Sequence, residues 1–486
     1  MTISGALSNA LSGLRATSRA SDIIAMNVSN ATTPGYARRE LTMSATSGNL
    51  VGGVTVDGVI RINNPAVTSA RRDAQADYGH SDAISSFHVN LERLIGTPDQ
   101  PGGLTNTLAE FESSLLIASS RPDSPERLSA TLQSAKNMVD VINNASKNVT
   151  NLRGHADANI DAMVIRLNSA LEEVESLNIQ IAEFNISNLD TSSLQDLRQQ
   201  VVDEIHELAP VRIAQREHGQ IALYSTGGVV LIDGSAREID FSASNQVTPY
   251  MSLDGGQLSG LSVDGAVIRT GSSNGDLPGG KIAAEFAIRD ELATNALTEI
   301  DAAARDLVER FQDPAVDATL AVGDAGLFTD SGLSFDPLDE IGLAERLQIN
   351  AAVDPAQGGE EWRLRDGINA TVPGAVGQSS LLDAMRSALN NGRVPASGNF
   401  GTGNLSAGDI ANSMISQIGV QRLNAEQSLS FAATTFHEVS QAERALGVDT
   451  DTELQRLMVV QQAYAANARV FTTIEEMMDT LMRLGA

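Results

Sequence analysis

Residues 457–481 read LMVVQQAYAANARVFTTIEEMMDTL, and this stretch decides how the chain is organised. Its heptad stripe alternates steps of three and four residues through Leu457, Val460, Tyr464, Asn467, Phe471, Ile474, Met478 and Leu481. Because one helix cannot bury its own stripe, the pattern predicts a partner helix. Asn467 is the polar member of the stripe. An asparagine in a heptad seam costs stability but fixes register, although it is equally compatible with a position that faces solvent.

The other end of the chain repeats this spacing at lower hydrophobicity. The repeated positions are Ile3, Leu7, Ala10, Leu14, Thr17, Ser21, Ile24 and Val28. They predict a helix from Ser4 to about Ala31, stopped by Pro34, since proline pushes the preceding residue out of the helical region. Thr450 and Glu453 form a T-x-x-E pattern, which predicts a capping box at the start of the last helix. Both chain ends are therefore predicted to be helices that pack on partners.

Composition excludes several classes of function. The chain has 486 residues, which suggests about three domains, and its net charge of −28 repels nucleic acid and anionic membrane surfaces. It has no cysteine, so disulfides, thiolate metal sites and cysteine nucleophiles are absent. No window approaches the roughly 20 apolar residues of a membrane span, and residues 1–4 do not begin a secretory signal. We therefore expect any export to use another route.

The middle of the chain alternates between helical and strand patterns. A heptad-like apolar pattern from Leu128 to Phe184 predicts one long rod, or two helices with a soft joint near Gly154. We predict a mainly α, elongated, multidomain fold with a terminal coiled-coil tip, a long helical-bundle body and a small β outer domain. The predicted domains are a terminal assembly domain of 1–35 plus 450–486; a helical body of 36–210, 281–312 and 405–449 with a short β ribbon near 36–62; a β-rich outer domain of 211–280; and an irregular α/β insertion of 313–404.

The sequence offers no convincing catalytic, cofactor or metal site. Residues 275–282 satisfy G-x-x-x-x-G-K, but Ile282 stands where a Ser or Thr should bind magnesium and Pro278 removes an amide from the phosphate cradle. A glycine-rich turn into a helix is the better interpretation. The six histidines include no pair at helical ligand spacing. We therefore predict a protein that is not an enzyme and needs no cofactor or metal.

Two motifs at opposite ends carry a family resemblance. Residues 27–38 read NVSNATTPGYAR, which resembles the N-x-x-N-x-x-T-P-G-Y-x-R motif of the axial proteins of bacterial flagella. Residues 461–470 read QQAYAANARV, which is similar to their C-terminal Q-x-A-Y-x-A-N-A-x-V motif. Together with the two heptad stripes, the first motif adds these candidate assembly residues: Asn27, Asn30, Thr33, Pro34, Gly35, Tyr36 and Arg38.

The middle resembles one branch of that family, the proteins that form the first hook–filament junction. The resemblance is carried by residues 194–205, LQDLRQQVVDEI, by the long helix, and by the helix from Gly280 to Phe311. Gly447-Val448-Asp449 departs mildly from the family, which usually has G-V-N or G-V-S there. Two alternatives stay open. One is another axial protein, such as the hook protein, and the other is a secreted adhesin or hydrolase built on the β-rich region.

The resemblance implies a structural adapter at an extracellular site. It implies export of the unfolded chain by the flagellar type III system, after a transient cytoplasmic stage, and assembly of copies into a ring. The implied partners are the hook protein, the second hook–filament junction protein and a cytoplasmic export chaperone on the C-terminal helix. We further expect Arg38 and Arg39 to reach carboxylates of a neighbour, and the terminal helices to be largely disordered in the free monomer.

Overall fold

Helices dominate the computed structural model, which describes residues 3–33, 35–45, 52–97, 100–270 and 275–484. They are α1 (Ile3–Ser29), α2 (Pro65–Ile95), α3 (Leu104–Ser120), α4 (Pro125–Ile186), α5 (Ser192–Leu208), α6 (Gly280–Ala287), α7 (Ala293–Phe311), α8 (Leu343–Arg346), α9 (Arg363–Asp366), α10 (Ser380–Asn390), α11 (Ala407–Ala445) and α12 (Thr450–Leu484). A π-helical turn at Ile288–Leu292 joins α6 to α7. The predicted mainly α fold class is confirmed.

The strands form four small antiparallel sheets among the described residues. They are β1 (Arg38–Ala45), β2 (Val54–Ile62), β3 (Val211–Gln215), β4 (Ile221–Ser225), β5 (Val230–Asp233), β6 (Ser235–Ala236), β7 (Ile239–Asp240), β8 (Leu261–Val263), β9 (Ala266–Ile268), β10 (Phe328–Asp330) and β11 (Leu347–Ile349). Strands β1 and β2 make the predicted ribbon, with Arg39 opposite Arg61. The β-rich middle holds a sheet ordered β3-β4-β5-β6 and another ordered β7-β8-β9.

Helix α4 is the structural spine of the body. It runs without a break for 62 residues, about 93 Å at the usual rise of 1.5 Å per residue. A Cβ at Gly154 would meet nothing within 4 Å, and the helix continues through it, so the suggested soft joint is absent. The apolar stripe predicted from Leu128 onwards is buried along most of the helix.

Two hydrophobic cores lie along this spine. The first half of α4 packs with α3, α7, α11 and residues of the 313–404 segment, including Phe328, Leu343 and Leu382. The second half, from Ile160 onwards, packs with α5, α6 and the sheets of 211–268. Each core contains residues of more than one predicted domain: the first joins the helical body to 313–404, and the second joins it to 211–280. The predicted domain bounds stay a prediction.

The glycine-rich segment before α6 has a packing role. Gly280 has φ of +69°, and a Cβ there would lie 2.6 Å from the Leu208 carbonyl oxygen. The Lys281 Nζ is 2.5 Å from the Glu207 Oε1. Only glycine allows α6 to start this close to α5, which supports the interpretation of the segment as a turn.

Candidate assembly site at the paired chain ends

The two terminal helices pack against each other in antiparallel fashion. Near the start of α1, Ile3 lines a groove with Met477 and Leu481 of α12. Near its end, Ile24 lines a hollow with Val460. The helix predicted to cover the C-terminal stripe is therefore α1 of the same chain. We call this pair, together with the ribbon β1-β2, the tip.

The C-terminal stripe is covered only in part. Ile474 is 3% exposed, whereas Tyr464, Met478 and Leu481 are exposed and Leu457, Val460, Asn467 and Phe471 are half-buried. Since one helix covers one side of the stripe, the remaining apolar surface stays open to further partners.

The buried face of α1 differs from the predicted one. Of the predicted positions, Ile24 and Ala10 are buried, but Ile3, Leu7, Leu14 and Val28 are only half-buried. The most enclosed positions also include Gly13, Ala16, Ile23 and Asn27. Small residues bring the helices close together, since a Cβ at Gly13 would lie 2.7 Å from the Asn467 Nδ2. Asn467 therefore faces α1 rather than solvent alone.

The predicted capping box at the start of α12 is wrong. Asp449 caps the helix, because its Oδ1 accepts hydrogen bonds from the amides of Asp451 at 2.9 Å and Thr452 at 3.3 Å. Glu453 is 1% exposed and points toward α1 instead. Asp449, noted above only as a departure from the family, is thus the residue that starts the helix.

Asn27 is the centre of the tip. It is fully buried, and its amide uses its hydrogen-bonding capacity in four directions. Its Nδ2 donates to the Glu453 Oε2 at 3.0 Å and to the Arg39 carbonyl at 2.9 Å. Its Oδ1 accepts from the Tyr36 hydroxyl at 2.8 Å and from the Arg39 amide at 3.0 Å. One side chain therefore joins α1, the following turn, β1 and α12.

The turn after α1 brings the rest of the N-terminal motif against this centre. The Thr33 Oγ1 donates to the Asn30 Oδ1 at 3.2 Å at the surface. Gly35 has φ of +75°, and a Cβ there would lie 2.6 Å from the Gln200 Cγ of α5. Burial raises the pKa of Tyr36, whose hydroxyl is held by Asn27. Pro34 lies outside the described residues.

The two arginines after the turn bind carboxylates of their own chain, and the expected contact with a neighbouring subunit stays a prediction. Arg38 pairs with Glu40, and its Nε lies 3.6 Å from the Glu453 Oε1. The Arg39 Nη2 is 2.9 Å from the Asp196 Oδ2. Asp196 lies in the stretch 194–205, but nothing in the sequence indicates that residues 39 and 196 meet.

The outward face of α12 is rich in apolar side chains. Val459 is 66% exposed and Met482 is 71% exposed, and the face also carries Leu454, Met458 and Val470. Solvent contact with so much apolar surface marks sites that bind other macromolecules. The geometry is therefore that of a surface for helix packing.

No catalytic constellation appears in the described part of the chain. No group of three or more His, Asp or Glu side chains there could hold a metal ion. A hollow of about 580 Å³ lies between α2 and α11, lined by Asp77, His80, Ser428 and Phe431 among others. It does not contain a nucleophile activated by a base. Within the described ranges, the helices are also too short or too polar to cross a membrane.

Comparisons with known proteins find flagellar relatives along most of the chain. Residues 89–326 match the family model of the flagellar hook-associated protein FlgK helical domain. Residues 7–36 match the model of the flagella basal body rod protein, and residues 439–484 match the model of the flagellar basal body rod FlgEFG protein C-terminal region.

The chain is also similar to individual proteins. The chain is similar to flagellar hook-associated protein 1 of Bacillus subtilis, at 22% identity over 98% of this chain and 97% of that protein. It is similar to the Escherichia coli protein of the same name, at 24% identity over 99% of this chain and all of that protein. The solved flagellar hook junction protein FlgK from Burkholderia pseudomallei covers 54% of this chain and 47% of its own, with 18% identity and a TM-score of 0.45.

Proposed function

Because this chain belongs to the family of flagellar hook-associated protein 1, whose members are structural proteins of the flagellum and not enzymes, we propose that it is the adapter that joins hook to filament. In this role, copies of the chain assemble as a ring. The hook protein contacts one side of the ring and the second junction protein the other. The site is extracellular, at the distal end of the hook.

One observation carries the proposal: the two segments that match axial-protein models form a single folded unit. Residues 7–36 and 439–484 lie at opposite ends of the sequence, yet the Asn27–Glu453 hydrogen bond joins them across 426 positions. A unit made from both ends presents the exposed stripe of α12 in a fixed relation to the body. Such a unit can pack against copies of itself and against other axial proteins in one orientation.

The open side of α12 supports an ordered series of partners. Its exposed apolar face would be covered first by the cytoplasmic export chaperone, then by neighbouring subunits in the ring. Export of the unfolded chain through a type III channel is compatible with a sequence without cysteine, since no disulfide can block the passage.

The hook protein is the second candidate, and the body argues against it. The feature that favours a junction protein is a long helical rod, and α4 with its 62 residues provides it. A hook protein would be expected to have a middle region built mostly from strands. The match of residues 89–326 to the helical-domain model also favours the junction protein.

A deletion strain tests the proposal. Cells that lack this chain should build hooks but release unpolymerised filament subunits into the medium, and the intact chain should restore filaments. Asn27→Ala should restore them poorly, because it removes four hydrogen bonds at the centre of the tip. Asn137→Ala, at an exposed position of α4, is the matched control. Normal filaments in the deletion strain would overturn the proposed junction role.

A further inference from the structure

We infer that Asp196 is the positioning residue that sets the orientation of the tip on the body, an inference that rests on the proposed function. Asp196 lies on α5, a helix of the body, and its side chain is 10% exposed. It contacts the ribbon that leads from α1 into the body. No motif or match described above assigns it a role.

The carboxylate of Asp196 binds both strands of the ribbon. Its Oδ2 accepts from the Arg39 Nη2 of β1 at 2.9 Å, and its Oδ1 accepts from the Arg61 Nε of β2 at 2.8 Å. The Ala37 amide adds a weaker bond at 3.3 Å. Since Arg39 and Arg61 face each other across the ribbon, the Asp196 carboxylate lies against two guanidinium groups and reduces the repulsion between them.

Neighbouring residues of α5 support the same contact. The Ser193 Oγ accepts from the Arg39 Nη2 at 3.1 Å. The Gln199 Oε1 accepts from the Arg61 Nη2 at 3.1 Å. Hydrogen bonds therefore fix the orientation of both guanidinium groups, in addition to the attraction of the Asp196 charge. Such geometry is typical of a specific contact and not of a loose surface ion pair.

The contact continues into both terminal helices. Arg39 is bonded through its backbone amide and carbonyl to Asn27 of α1, and Asn27 is bonded to Glu453 of α12. A continuous path of hydrogen bonds thus runs from α5 through β1 and α1 to α12. Because each link is buried or nearly so, the orientation of the terminal helices depends on where Asp196 holds the ribbon.

The same helix carries a matched contact that serves the body. Asp203, seven residues after Asp196, binds Arg71 and Arg72 of α2, and Arg71 also binds Glu443 of α11 at 2.9 Å. Residues seven apart share a helix face. Each aspartate thus binds two arginines, but Asp196 holds the tip and Asp203 holds the pair α2 and α11. Asp203→Asn is therefore the matched control for Asp196→Asn.

Distance measurement by pulsed electron paramagnetic resonance tests the inference. Because the chain has no cysteine, Ala25→Cys on α1 and Ile165→Cys on α4 place spin labels at two exposed positions only. The unaltered joint should give one narrow distance distribution. Asp196→Asn should broaden it roughly twofold, because removing one partner of a buried pair leaves the arginines uncompensated. Asp203→Asn should leave this distribution unchanged.

The outcomes separate the inference from a general loss of folding and from the proposed function. Circular dichroism should show the same helix content and melting of the body in Asp196→Asn as in the parent chain. An unchanged width in Asp196→Asn, equal broadening by Asp203→Asn, or a distribution already broad in the parent would each overturn the inference. Restoration of filaments in the deletion strain tests the junction role on its own, so either result can fail without the other.

Discussion

Helices α4 and α12 read alike in sequence but differ in how much of each the chain buries. Both carry long apolar stripes at heptad-like spacing. Yet α4 has 22 buried residues, whereas α12 has two. Helix α4 is surrounded by α3, α5, α7 and the β-rich region, whereas α12 packs against α1 on one side and meets β1 near its start. The comparison teaches that a stripe shows the need for a partner but not whether the same chain supplies it.

Hydrogen exchange on the free chain should show the largest difference between α4 and α12. Opening free energies span from near zero to the global value, and they follow burial. We expect amides in the central turns of α4 to exchange only on global unfolding. The amides of α12 beyond about residue 465, and the first turns of α1, should exchange quickly, while those near Asn27 and Glu453 should be intermediate. Strong protection along the whole of α12 would contradict the expected disorder in the monomer.

Truncating a core residue of α4 should have the next largest effect. Leu167 is 0% exposed, so Leu167→Ala should lower the free energy of unfolding by about 2–5 kcal/mol. Val459→Ala on α12 removes an exposed side chain and should change it by less than about 0.5 kcal/mol. Urea unfolding measures both. Similar losses for the two variants would remove the distinction between body and tip.

A half-buried carboxyl should make the stability of the body depend on pH. Burial raises the pKa of Glu285 on α6 to about 7, against a bond from Asn159 that acts in the opposite direction. A raised pKa in the folded state means that folding binds a proton between about pH 4.5 and 7, so stability falls as pH rises through that range.

The size of this effect is about 2–3 kcal/mol between pH 5 and 8. Glu285→Gln keeps the shape of the side chain and should reduce the dependence by about this amount, as measured by urea unfolding at both values. The remainder should come from other carboxyls such as Asp301, whose pKa burial raises to about 6. Asp233→Asn, at the surface beside Arg216, is the control. If Glu285→Gln keeps the full dependence, another group is responsible.

Placing a charge in the open stripe should have the smallest effect on the free chain. Phe471 is half-buried, so Phe471→Asp should cost the monomer about 1 kcal/mol or less. If partners cover this stripe as we propose, the charge should nevertheless weaken capture by the proposed export chaperone and incorporation into the flagellum. Thr472→Asp adds the same charge at an adjacent exposed position. Normal motility and unchanged chaperone binding in Phe471→Asp would count against the assembly role of the stripe.

The sequence by itself determined the helices, the ribbon and the need for partners. Apolar repeats of 3.5 residues indicate helices and repeats of two residues indicate strands, and both can be read from a short stretch of sequence. The same holds for the turns at Gly35 and before α6. The two terminal motifs also identified the kind of protein, since each is a continuous run of residues.

Only the tertiary structure decided which side chains meet. Asn27 joins Glu453, and Asp196 joins Arg39 and Arg61, across separations that no local pattern spans. For the same reason the role of Glu453 as a capping residue was predicted wrongly. The buried Glu453 carboxylate gains more from its hydrogen bond with the Asn27 amide than it would from capping its own helix. Asp449 was free to cap α12, and the joint between tip and body followed from contacts that exist only once the chain is folded.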